Sequence, residues 1–279
     1  MHTHFILRRV LLAIGLTGSA LGAAAHDTWF MPLPPGRTGE VRLALGTGDR
    51  FPRQEYALDP KYLVRQGCHG AAAGRAEVLR AQGYTETALH LQAPLAARAC
   101  WAQLKPFELT LEPDTAAVYL KEINASAEVR AAWAALQSRG LPWQESYTKH
   151  ARINLGPVSP QSEEPSGMAM DMLLRAAPGP VRVRDTVVVQ VLREGRALAG
   201  LNVELRTELS PVGLWQQTDA EGRVTLKLPL PGRWLLRGVD LALSTRRPDE
   251  WESRFITLAF EVAPALVPAA ADTSPQRVP

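Results

Sequence analysis

Beyond Leu21 the chain has no run of about eighteen apolar residues, so nothing after that point reads as a membrane-spanning helix. Cysteine is nearly missing. Only Cys68 and Cys100 occur, with no C-x2-C pair, which removes the usual frameworks of small zinc domains. Histidine is scarce too: past position 25 only His26, His69, His90 and His150 remain, so there is no His-rich tract. No G-x-S-x-G elbow and no H-E-x-x-H pair is present. Carboxylates are scattered through strands and turns, and no acid/base pair stands out, so the expectation is a protein without catalytic activity. An excess of one charge sign is lacking as well. The formal charge of +3 falls to +1 if Arg8 and Arg9 are removed, which gives no electrostatic case for nucleic acid or an anionic membrane.

What is present begins with an export signal over residues 1–25. Arg8 and Arg9 form its positive region, Val10 to Leu21 its apolar run, and Ala23-Ala24-Ala25 a small-residue cleavage site. A cut after Ala25 places the product in the periplasm or outside the cell, soluble, with His26 as its first residue. An N-terminal histidine offers its α-amino group and imidazole to one ion, and nitrogen donors suit Ni, Co, Cu and Zn. In an oxidising compartment Cys68 and Cys100 read as one disulfide, closing a loop that stabilises the fold by roughly 3–4 kcal/mol. The alternative is a soft metal site formed by both thiols with the adjacent His69.

The pattern is mainly β, in two β-rich domains. Residues 26–154 form the first. Val41, Leu43 and Leu45 alternate with Glu40 and Arg42 as in a half-buried strand, and Gly46-Thr47-Gly48-Asp49 ends it without the helix that a phosphate-binding loop needs. Weaker strands follow around 88–92, 100–104 and 107–111. One helix is expected near 126–138. Ser126 caps it, Val129, Trp133 and Leu136 share a face, and Gly140 suits the left-handed residue past its end. Residues 155–167, rich in Pro, Ser, Gly and Glu, read as a linker. Residues 168–263 read as an Ig-like or transthyretin-like antiparallel sandwich, from alternation at 201–207, 223–228 and 256–262 with turn residues between. The tail 264–279 is Ala/Pro-rich and reads as disordered.

Several stretches together resemble domain-of-unknown-function family 4198. They are His26-Asp27-Thr28-Trp29-Phe30, Tyr119-Leu120-Lys121-Glu122, the run Glu145 to Arg152, Thr218 to Gly222 with Pro231 to Trp234, and Asp249 to Ser253. The resemblance implies an exported β protein, and for some members a role in nickel or cobalt uptake beside a membrane transporter. The leading expectation is therefore periplasmic binding of a divalent transition metal, nickel or cobalt first, passed to a membrane metal-uptake transporter. His26 is the principal ligand and His150 the preferred second one. Asp27 could add an oxygen, and His69 is the weakest member of the set. His90 shares a face with Glu86 and reads as solvated, while Met168, Met170 and Met172 read as one packed strand face. Two other classes compete. One is a metal-free adhesion or assembly module using its sandwich edges and Trp215, Trp234 and Trp251 for packing or partner contact. The other is a copper-dependent oxidative enzyme built on the N-terminal histidine.

Overall fold

Alternation along the strands creates two apolar faces on one long sheet, and a second sheet covers each face. The computed structural model describes residues 26–36, 40–70 and 76–266. The expected signal segment 1–25 and all but the first three residues of the expected disordered tail lie outside the described residues.

In chain order the strands of the first half are β1 (Asp27–Leu33), β2 (Val41–Gly48), β3 (Tyr56–Ala57), β4 (Leu63–His69), β5 (Arg80–Tyr84), β6 (Leu89–Ala93), β7 (Ala99–Leu104) and β8 (Phe107–Leu111). Two helices follow, α1 (Pro113–Glu122) and α2 (Ala127–Ser138), then the long strand β9 (Trp143–Asn154). The second half contributes β10 (Met170–Arg175), β11 (Thr186–Arg193), β12 (Arg196–Ala197), β13 (Asn202–Thr207), β14 (Ser210–Gln217), β15 (Arg223–Lys227), β16 (Gly232–Leu243) and β17 (Trp251–Val262).

The central sheet has the order β14-β13-β16-β17-β9-β7-β4, with β8 also pairing β9. A five-stranded sheet, β1-β2-β6-β5 with β3 beside β2, covers one face. Leu43, Leu45, Leu89 and Phe30 pack there against Ala151, Ile153, Leu235 and Ala259. A four-stranded sheet of β10, β11, β12 and β15 covers the other. Met170, Met172, Val189 and Val224 meet Leu205, Leu236, Ile256 and Leu258 of the central sheet. The methionine row is core, and the second half is the antiparallel sandwich that its alternation predicts.

Both cores draw residues from either side of the expected boundary at 155–167, Leu235 and Ala259 joining the first and Trp101 the second, and the central sheet is continuous across it. Strand β9 of the first half pairs in parallel with β17 of the second, from Glu145 opposite Trp251 to Ile153 opposite Ala259. Its other edge pairs antiparallel with β8 and β7. The segment 155–167 is also tied down rather than a free linker. Arg152 donates to the carbonyls of Ser162 (2.8 Å) and Glu164 (3.0 Å), and Asp171 accepts from the Ser166 amide at 2.7 Å.

The helix expected near 126–138 is α2, with the Ser126 hydroxyl accepting from the Val129 amide and Gly140 at φ +70°. The expectation of one helix needs correction, since α1 precedes it. Pro113 suits the first turn, where its missing N–H would have no partner. Ala116, Tyr119 and Leu120 bury the α1 face, and both helices close over Trp143, Trp251 and Phe255 at the end of the central sheet. Trp251 is thereby a core residue, Trp234 lies in the core beneath the four-stranded sheet, and Trp215 is half-buried beneath the Arg237 guanidinium.

Cys68 and Cys100 are direct partners in the β4/β7 ladder and form a disulfide. Both sulfurs are thus committed to each other, which removes the alternative soft site with His69. Among the described residues no helix is long and apolar enough to cross a membrane.

Candidate metal centre

Register brings the first site together. Strand β1 runs antiparallel to β2, pairing Asp27 with Gly48 and Thr28 with Thr47, so the next residue outward on each side is His26 and Asp49. Residues facing each other at such a position have side chains within reach, and His26 Nε2 lies 2.8 Å from Asp49 Oδ1. After Asp49 the chain turns back along the other side of β2. Tyr56 pairs with Thr47, and the Glu55 amide donates to the Thr47 carbonyl at 2.8 Å. Gln54 fixes this return by donating to the Trp29 carbonyl at 2.7 Å. One ligand atom each from His26, Asp49 and Glu55 then falls within 4.8 Å of the others. His26 is 9% exposed and forms the floor, with Tyr56 edge-on to its ring at 5.5 Å. The Asp49 side chain is 60% exposed, so the group opens to solvent.

The two glycines of Gly46-Thr47-Gly48 explain why this loop can lie so close. A Cβ on Gly48 would sit 2.6 Å from the Arg53 carbonyl oxygen and 3.0 Å from the Trp29 ring. A Cβ on Gly46 would meet the Thr87 carbonyl and Gln54. These are backbone approaches and not phosphate contacts. Gly48→Ala is expected to push the 49–55 loop off the strand, costing about 1–3 kcal/mol and weakening any ion bound at Asp49 and Glu55. Thermal unfolding and a metal titration of the same variant check both parts.

Asp27 alternates to the opposite side of β1 from His26. There its Oδ2 accepts from Arg237 Nη1 at 3.1 Å, so it is an ion-pair residue of the interior rather than a partner of the His26 imidazole. Lys149 reaches the same place from β9 and donates to the His26 carbonyl at 2.8 Å. Burial lowers its pKa to about 8, with Asp27 acting in the other direction. Tyr119 and Glu145 lie further along this polar seam. Glu145 accepts from Trp143, Tyr119 and Ser253, yet burial still holds its carboxyl above the ordinary value.

The structure does not bring His150 to His26. Successive side chains of a strand point to opposite faces. Lys149 faces β1, so His150 faces the other layer, where Nδ1 lies 2.9 Å from the Phe255 carbonyl and Nε2 has no partner. Burial lowers its pKa from 6.5 to about 4. The unfolded chain therefore takes up this proton first, and stability present above pH 6.5 is lost as the pH falls toward 4. Between pH 7 and pH 4.5 this amounts to roughly 2–3 kcal/mol. Urea unfolding of His150→Gln at both pH values is expected to show a drop smaller than the wild type's by about that amount.

His69 is likewise outside the cluster. Its Nε2 lies 3.3 Å from the Pro165 carbonyl, its Nδ1 3.5 Å from Glu164, and its ring 4.4 Å from that of Trp101. Burial and the Arg152 charge hold its pKa below the ordinary value. Of the four ligands expected from the sequence, only His26 stands in the cluster. Asp49 and Glu55 were not singled out there. The signal that points to Asp49 is its position one residue beyond a strand antiparallel to β1.

Comparison with curated proteins finds no match. The model of the family described as Domain of unknown function (DUF4198) matches residues 23–239, most of the chain, and the protein belongs to that family.

Proposed function

We propose that the protein binds one divalent transition-metal ion, nickel or cobalt, in the periplasm and passes it to a membrane uptake transporter. The observation that carries this reading is the convergence of His26, Asp49 and Glu55 within 4.8 Å at a solvent-facing edge of the sheet. His26 Nε2 faces Asp49, and the amine freed by export cleavage after Ala25 chelates with Nδ1 of the same ring. A set of two nitrogens and two carboxylate oxygens therefore requires the ring to turn and present Nδ1 to the carboxylates. Such a mixed nitrogen and oxygen set suits borderline divalent ions. The two carboxylates balance the charge of the ion, and the open side leaves room for release to a partner.

The cluster favours this reading over the copper-enzyme alternative, because it pairs one imidazole with carboxylates and not with a second histidine. Trp234 and Trp251 lie in the core, which leaves Trp215 and the sandwich edges for partner contact in the adhesion reading. Both nitrogens must be unprotonated to bind, so affinity falls as the solution becomes acid. Competition titrations of Asp49→Asn and Glu55→Gln test the site. Each substitution is expected to weaken nickel and cobalt at least tenfold with stoichiometry still one. Unchanged affinity in both variants would take the loop out of the site.

A further inference from the structure

The contact between His26 and Asp49 closes a ring of polar links that runs through the central sheet. From His26 the backbone passes to Asp27, whose Oδ2 accepts from Arg237 Nη1 at 3.1 Å. Arg237 Nε donates to Glu204 Oε2 at 2.6 Å, and the same oxygen lies 2.9 Å from Arg206 Nη2. Arg206 Nη1 then donates to the Asp49 carbonyl at 3.2 Å, and Asp49 Oδ1 returns to His26 Nε2 at 2.8 Å. Asp27, Glu204 and Arg237 are buried, and Trp215 lies under the Arg237 guanidinium at 5.5 Å, so three members have fixed places in the core. Arg206 is half-buried and is the member that reaches out to the loop. Its planar fork can hold a carboxylate on one side and a carbonyl on the other in a set orientation, which lysine cannot.

We infer that Arg206 is a positioning residue for the metal centre, holding the Asp49 loop at a fixed distance from His26 through Glu204 and Arg237. This rests on the metal reading given above. Groups that orient ligands without touching the ion typically change affinity by about 10–100-fold. They also alter the geometry of the bound ion, a signature that a merely stabilising residue would not change.

Cobalt(II) reports both properties, through its affinity and its visible absorption bands. Arg206→Gln is expected to bind cobalt about 10–100-fold more weakly than wild type, with shifted bands, and Arg206→Lys to recover part of the affinity. Gly213→Ala provides a second route that leaves Arg206 and the ligands in place. Gly213 faces Glu204 from the edge strand β14, and a Cβ there would fall on the Glu204 carboxylate, 2.6 Å from Cδ. It should displace Glu204 from Arg206 and shift the cobalt bands in the same direction. If wild type and all folded variants bind cobalt alike, with the same spectrum, the positioning role is wrong while the metal reading stands. If wild type binds no cobalt, the metal reading fails and this inference with it.

Discussion

Arg152→Met is expected to lower the unfolding free energy by about 3–5 kcal/mol, the range for removing one partner of a buried ion pair. Arg152 is fully buried, and its Nη1 lies 3.1 Å from Asp171 Oδ2 across the gap between the central sheet and β10. The same guanidinium holds the carbonyls of Ser162 and Glu164, so it fastens the 155–167 segment as well as neutralising Asp171. Methionine fills much of the volume but leaves a carboxylate in the interior with no cation beside it. The cost is therefore electrostatic rather than a matter of packing. Arg152→Met with Asp171→Leu is expected to recover a large part of the loss, because no charge is then left uncompensated. Urea midpoints at constant slope measure both. A loss under about 1 kcal/mol in the single variant would contradict the assignment of Arg152 as the pin between the layers.

Insertion of one alanine between Ala25 and His26 is expected to weaken nickel and cobalt binding at least about 100-fold, more than is usual for the loss of an outer-shell partner. The insertion leaves the His26 imidazole opposite Asp49 but moves the free amine one residue away, so amine and ring can no longer close the same chelate. Stability should hardly change, because β1 and its pairing with β2 begin after His26. His26→Ala removes the imidazole instead and is expected to lose at least as much. Intact mass establishes where each variant begins, and competition titration gives the affinities. An insertion variant with wild-type affinity would exclude the amine from the site and leave a weaker centre of one imidazole and two carboxylates.

The sandwich of the second half was legible because its strands are apolar on one face and polar on the other, as at Val203 and Leu205 beside Asn202 and Arg206. Strand β9 was not, and the reason is physical. Both faces of the central sheet are covered, so Glu145, Lys149, His150, Arg152 and Asn154 are all buried although their polarity suggests a surface. Lys149 and Arg152 meet partners from other layers, the His26 carbonyl and Asp171, which no local pattern encodes. The parallel pairing of β9 with β17 was hidden for the same reason, and with it the continuity of the sheet across the two halves. Helix α1 escaped because it offers a short apolar face, Ala116, Tyr119 and Leu120. In the site, His26 was visible through the cleavage motif and the family-like stretch that follows it. Asp49 and Glu55 become candidates only once the β1/β2 register and the returning loop are known, since no sequence spacing links them to His26. His150 was drawn in by its place in a family-like block, and the alternation along β9 sends it to the opposite layer.

The most direct test is a metal titration of the protein expressed with its own N-terminal segment and purified from the periplasm without an N-terminal tag, with intact mass recorded on the same sample. The expected result is a mass beginning at His26 and one nickel or cobalt ion per chain, released by added chelator and bound more weakly as the pH falls. A chain beginning elsewhere, or no binding tighter than about millimolar, would contradict it.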